Sequence, residues 1–200
     1  MDLRCSGNRI VVSGKYITLL DRFVMDFVRT LERETPYVVV SGFVAILFGR
    51  SRGTEDVDVL IPRLEPEDFA AVHEVLRRGG FGFLSEDDEA DDLYAMLAAN
   101  RAIRIARTDE FIPNIEMKFA RDEVDRFVLR DRVDIELPGG SIFISPIPIQ
   151  IAYNLYLGGR KDIEDALYLW EIFRDDLDSG AMNAALAQFG VRGDEYGIGI

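Results

Sequence analysis

The stretch Tyr37–Pro62, YVVVSGFVAILFGRSRGTEDVDVLIP, decides how the rest of the chain is read. Tyr37–Val40 is an apolar strand, and Ser41-Gly42 is a turn that opens a short helix ending near Gly49. A loop carrying Arg50, Arg52 and Thr54 follows, then a strand over Thr54–Ile61 that Pro62 closes. Strands disfavour aspartate, yet this one holds Asp56 and Asp58. Residues two apart in a strand share a face, so both carboxylates project together. Held that close they repel unless they are solvated, protonated or neutralised. A divalent cation with oxygen ligands meets that need.

The remaining composition narrows the chemistry. The 200 residues are 48% hydrophobic and 30% charged, enough to bury a substantial core in a folded chain. Cys5 is the only cysteine and His73 the only histidine, which excludes an internal disulfide, Cys- or His-based zinc sites and a Ser-His-Asp mechanism. Carboxylates, Arg, Lys, hydroxyls and a hard metal are what is left. The net charge of −13 opposes broad attraction to a nucleic-acid backbone. Lys15, Lys118 and Lys161 are the only lysines. No apolar run approaches the ~18 residues of a membrane span and no signal-like h-region opens the chain, so a cytoplasmic location without membrane attachment is expected.

Outward from the decisive stretch, apolar residues at helical spacing predict a long helix over Tyr16–Glu34, before Pro36. Ile10–Val12 reads as a short strand. Downstream, a helix over Pro66–Arg78 stops at Gly79-Gly80, and a further helix is expected over Glu89–Asn100. The acidic run Ser85–Asp92 reads as solvated surface, and His73 as structural. Ala102–Ala106 and Asn114–Phe119 alternate as strands. Alternation splits Arg104 from Arg101 and Arg107, which weakens any basic strip there. Pro138-Gly139-Gly140 marks a hairpin between Val133–Leu137 and Ser141–Ser145. Helices are expected over Ile149–Leu157, Asp162–Asp175 and Ala181–Phe189, and a loose tail beyond. The expected class is α+β: a small mixed sheet with flanking helices over residues 1–145, a helical region over 146–189 and a flexible tail over 190–200.

In Asn114–Phe119, Glu116 and Lys118 share the polar face. Glu116 supplies the third carboxylate that a two-metal site requires, and as general base it would accept the proton of an incoming hydroxyl. Lys118 would meet a phosphate or keep the carboxylates from repelling one another.

The order strand, small-residue turn, short helix, basic loop and Asp-Val-Asp strand resembles the DNA polymerase beta-like nucleotidyltransferase superfamily. Ile151–Leu169, IAYNLYLGGRKDIEDALYL, is similar to a helical motif of its abortive-infection branch, the toxins of bacterial toxin–antitoxin pairs. Arg160, Lys161, Asp162 and Asp165 match that motif, while Asn154 stands where the branch has a lysine. The resemblance implies a nucleotidyltransferase core in which Asp56, Asp58 and Glu116 hold Mg²⁺ (or Mn²⁺) and Ser41 and Gly42 cradle the phosphates of a substrate NTP. Arg50, Arg52, Thr54, Lys118, Lys161 and Asp162 are its candidate nucleotide contacts. It further implies transfer of an NMP to a hydroxyl of RNA, such as a tRNA end, or of a protein, and an antitoxin-like partner. The alternatives are an antibiotic-type enzyme with a small acceptor, and a non-catalytic binding module of the same fold.

Overall fold

The computed structural model describes residues 1–85 and 88–198; Glu86 and Asp87 of the acidic run and Gly199–Ile200 of the tail lie outside them. The strands are β1 (Asp2–Ser6), β2 (Arg9–Ser13), β3 (Val38–Val40), β4 (Asp56–Ile61), β5 (Phe81–Phe83), β6 (Ile103–Arg107), β7 (Asn114–Phe119), β8 (Val133–Leu137) and β9 (Gly140–Ile144). They form one mixed sheet in the order β1-β2-β8-β9-β3-β4-β7-β6-β5. The helices are α1 (Leu19–Leu31), α2 (Gly42–Leu47), α3 (Pro66–Arg78), α4 (Ala90–Ala98), α5 (Glu123–Arg130), α6 (Ile147–Leu157), α7 (Arg160–Phe173) and α8 (Ser179–Gln188). The α+β class read from the sequence is the class observed.

Local chemistry sets most element ends. Thr18 and Asp21 form a reciprocal capping box at the start of α1, with Lys15 3.0 Å from the buried Asp21 carboxylate. Pro66 opens α3, where a missing N–H costs nothing. Asp122 caps α5, and Gly158 ends α6 in the left-handed conformation. The β8–β9 hairpin turns at Pro138-Gly139, with Gly139 at φ 104°.

The alternation of β4 and β7 divides the sheet. Val57, Val59, Ile61, Ile115, Met117 and Phe119 are buried, and Phe119 packs edge-on against Phe69 of α3 and Tyr94 of α4. Asp58, Glu116 and Lys118 point to the opposite face. There α5 and α6 lie beside Asp58, and α7 joins through Phe48 against Phe173 at 4.8 Å.

The strand expected over Ile10–Val12 is one arm of a hairpin over residues 2–13, because β1 pairs with β2 and so extends the sheet edge. One expectation needs correction. Residues 190–198 are not loose: Gly193–Tyr196 is a 3-10 helix, and Ile198 is buried beside Gly193 and Leu186.

Candidate active site

β4 and β7 are parallel and in register, which sets Asp56 beside Asn114 and Asp58 beside Glu116. The alternation that buries the valines brings Asp58 and Glu116 to the same face of adjacent strands. Lys118 bridges them: its ammonium lies 2.7 Å from Asp58 Oδ1 and 3.4 Å from Glu116 Oε2. From the other side β6 runs antiparallel to β7 with Arg104 opposite Glu116, and its Nε and Nη2 donate to Glu116 Oε1 at 3.0 and 2.7 Å.

These partners set the ionisation. Burial alone pushes the Glu116 carboxyl up, but the hydrogen bond and charge of Arg104, together with Lys118, hold it below the usual glutamate range. Burial pulls Lys118 down, and Asp58 and then Glu116 more than restore it, leaving its ammonium above the ordinary lysine value. A carboxylate held below its ordinary range is a weaker base, which weighs against the general-base role expected of Glu116.

The expected convergence of three carboxylates is also not formed. Among the described residues no three acidic, histidine or cysteine side chains stand together as a cation site. The reason is local: Asp58 and Glu116 are neutralised by Lys118 and Arg104, and Asp56 accepts at 3.3 Å from Thr54 Oγ1. Thr54 also donates to the Asp56 carbonyl at 2.8 Å and so shapes the strand's entry. The donor set nevertheless fits a hard divalent cation. Asp58 and Glu116 offer only carboxylate oxygens, and a cationic group already sits between them.

The Ser41-Gly42 turn lies beside this pair, since Val40 pairs with Asp58 across β3 and β4. Ser41 has φ 62° and ψ −148°, a conformation that glycine adopts freely and serine does not. Its N–H, one of the groups that would cradle a phosphate, donates instead to Gln150 Oε1 at 3.1 Å. Gln150 is buried, accepts from Ser145 Oγ at 2.7 Å and donates to Asn154 Oδ1 at 2.9 Å. Asn154 therefore stands behind the turn as a buried prop. Ser41, Asp58, Lys118, Arg121, Gln150 and Tyr153 line a small cleft of about 90 Å³.

Arg50 and Arg52 are not aimed at Asp56 or Asp58. Both pair with Asp165 of α7, which is fully buried, and Arg50 also reaches Glu164 at 2.7 Å and the Lys161 carbonyl at 3.2 Å. The Arg52 guanidinium lies against Gly42, where a Cβ would come within 2.6 Å of Nη1. Arg52 Nε is buried and has no partner among the described residues. Lys161 and Asp162 belong to this helix start: Lys161 is exposed, and the Asp162 carboxylate lies over Gly159. Asp165 is thus the anchor of the motif, and its acidic spacing was its only sequence signal. Arg104 was hidden by the strand alternation, because its partner is fixed by the β6–β7 register.

No family model matches the chain, and no curated protein matches it significantly. Solved structures do. The solution structure of the antibiotic-resistance factor ANT(2'')-Ia aligns with a TM-score of 0.51 and 15% identity, over 91% of this chain and 95% of that one. The crystal structure of ANT(2'')-Ia in complex with adenylyl-2''-tobramycin gives 0.50 and 16%, over 86% and 98%. An antigenic nucleotidyltransferase-like protein from Paracoccidioides brasiliensis gives 0.52 and 17%, over 82% and 84%. At such identities the likeness speaks for architecture: the chain has the fold of nucleotidyltransferases.

Proposed function

We propose that the protein is a metal-dependent nucleotidyltransferase that moves an NMP from an NTP to an acceptor hydroxyl and releases pyrophosphate. The observation that carries this reading is the in-register pairing of Asp58 with Glu116 on one face, beside the Ser41-Gly42 turn. Asp58 and Glu116 would hold Mg²⁺ or Mn²⁺. Such an ion supplies charge neutralisation across the triphosphate and the reacting oxygens. The protein's own cations have separate duties. Arg104 keeps Glu116 ionised, and Lys118 keeps the carboxylates from repelling each other; with a cation bound between them, Lys118 would be free to meet a phosphate. The acceptor oxygen would bond to the α-phosphorus, the bond from that phosphorus to the β-phosphate oxygen would break, and the hydroxyl proton would pass to solvent water.

Similarity of the Arg160–Asp165 segment to the abortive-infection branch supports a toxin role, with an antitoxin-like partner and a cytoplasmic setting. Among the described residues no helix is long and apolar enough to cross a membrane. Residues 146–189 would serve as the helical region that props the turn, through Gln150 and Asp165.

A second reading is an enzyme with a small cationic acceptor, supported by the net charge of −13 and by the neighbour bound to adenylyl-2''-tobramycin. A non-catalytic module is the third, supported by the occupied Ser41 N–H and the neutralised carboxylates. The test is incubation with each radiolabelled NTP and Mg²⁺ or Mn²⁺, in the presence of total RNA, protein or an aminoglycoside panel. Label on an acceptor, lost in Asp58→Asn and Glu116→Gln, is the expected result. Absence of labelling under every metal and NTP would leave the binding module.

A further inference from the structure

A larger hollow, of about 690 Å³, opens where β4 and β7 end, outside the carboxylate cluster. Arg63 follows β4, Arg121 follows β7, and Arg126 and Arg130 stand one turn apart on α5; all four line this hollow and all are exposed. Arg126 and Arg130 also line an adjoining hollow of about 530 Å³ together with Phe127. At the other end Arg121 lines the small cleft that holds Asp58 and Lys118. Three hollows therefore lie in series, joined by shared arginines.

The charge here runs against the rest of the chain. Four arginines and a single carboxylate, Glu123, line the two larger hollows, whereas the chain as a whole has 23 basic and 36 acidic residues. Asp125 holds Arg121 at 3.7 Å and Asp131 holds Arg130 at 2.6 Å. Arg63 and Arg126 enter no ion pair among the described residues; Arg126 only donates to the Arg121 carbonyl at 3.4 Å. Neighbouring guanidinium groups left without counter-charge repel each other unless an anion joins them.

We propose that this groove binds the phosphodiester backbone of a single-stranded polynucleotide and leads its end toward Asp58. The arrangement suits a strand better than one small anion. A small phosphate calls for donors converging in one enclosed pocket, whereas these arginines are solvent-exposed and spread along open, connected hollows. Pro36, Pro62 and Leu129 give the groove apolar patches, and the Phe127 ring, with the Arg130 guanidinium 5.3 Å from its centroid, offers a surface for a base. A basic track with a stacking platform is how single strands are held without sequence readout. That the strand also receives the nucleotide rests on the transferase reading; the binding does not.

The test is fluorescence anisotropy of labelled single-stranded RNA and DNA oligonucleotides titrated with the full-length protein over a range of salt. The wild type should bind with a log K that falls by about 0.7 per tenfold rise in salt for each phosphate contacted. Arg63→Ala/Arg126→Ala/Arg130→Ala should lose at least tenfold in affinity and flatten the slope by about 2, three contacts at that same increment. The corresponding triple lysine variant should keep most of the binding. Circular dichroism melts establish that each variant is folded. No binding at low salt, equal binding by the alanine variant, or displacement of the strand by tripolyphosphate at equal phosphate concentration would each overturn the proposal. Failure of nucleotide transfer with groove-dependent binding intact would sink the transferase reading alone.

Discussion

Lys118 donates to Asp58 across the β4–β7 pair at 2.7 Å, with its ammonium also 3.4 Å from Glu116, so it stands where a cation between the two carboxylates would. Lys118→Met should therefore make divalent binding tighter, by roughly tenfold, or ~1.4 kcal/mol. The metal-free variant should lose about 1 kcal/mol of stability, because the pair is partly exposed. Added Mn²⁺ should then raise its melting temperature more than that of the wild type. Calorimetric titration with Mn²⁺ reads the affinity, and weaker binding in the variant would show that Lys118 does not compete with the metal.

Gly42 and Arg52 are coupled by contact. A methyl at Gly42 meets the guanidinium at 2.6–2.8 Å, and that guanidinium is held by buried Asp165 and cannot swing away freely. Gly42→Ala should cost about 2 kcal/mol, above the usual change at an unconstrained site. In the double variant with Arg52→Ala the two losses should not add, leaving a coupling of about 1 kcal/mol or more. A urea denaturation cycle measures it, and strict additivity would refute the contact.

Ser41 carries the backbone strain of the turn. Glycine adopts φ 62°, ψ −148° without a Cβ penalty and keeps the N–H bonded to Gln150. Ser41→Gly should stabilise the fold by about 1 kcal/mol. An unchanged or lower midpoint in urea would mean that the Ser41 hydroxyl contributes more than the strain costs.

Tyr37 governs alkaline stability. Burial pushes its phenol far above the ordinary value, and its oxygen accepts from the Phe143 N–H at 3.2 Å. The folded state thus keeps a proton that the unfolded chain releases near pH 10. This contribution is fully present below that pH, and stability falls by about 1.4 kcal/mol per pH unit above it. Tyr37→Phe removes this part of the slope, at a constant cost of about 1–3 kcal/mol for the unpaired Phe143 N–H. Denaturation midpoints from pH 9 upward, ~2 units across the titration, distinguish the two curves.

What the sequence made legible is what period and punctuation encode. Alternation placed Asp58, Glu116 and Lys118 on polar faces, and Pro66, Pro138-Gly139 and Gly158 marked boundaries within a residue or two. Strand order was not encoded locally. The parallel β4–β7 register brings Lys118 to Asp58, 60 residues away, and the antiparallel β6–β7 register brings Arg104 to Glu116. Arg50 and Arg52 read as phosphate contacts because they flank the aspartates, but Asp165 claims both from more than a hundred positions downstream. The arginine groove was hidden in the same way. Arg63, Arg121 and the α5 pair come together only through the ends of neighbouring strands, and the overall acidity masked them.

The turn beside the carboxylates is propped from behind by Gln150 of α6 and, through Arg52, by Asp165 of α7. A truncated protein ending at Ser145 would retain every proposed metal ligand and still lack both props. Modular exchange of the C-terminal helices between relatives would meet the same obstacle, since a transplanted segment must bring an amide and a carboxylate to these two places. The helices travel with the chemistry or the chemistry fails.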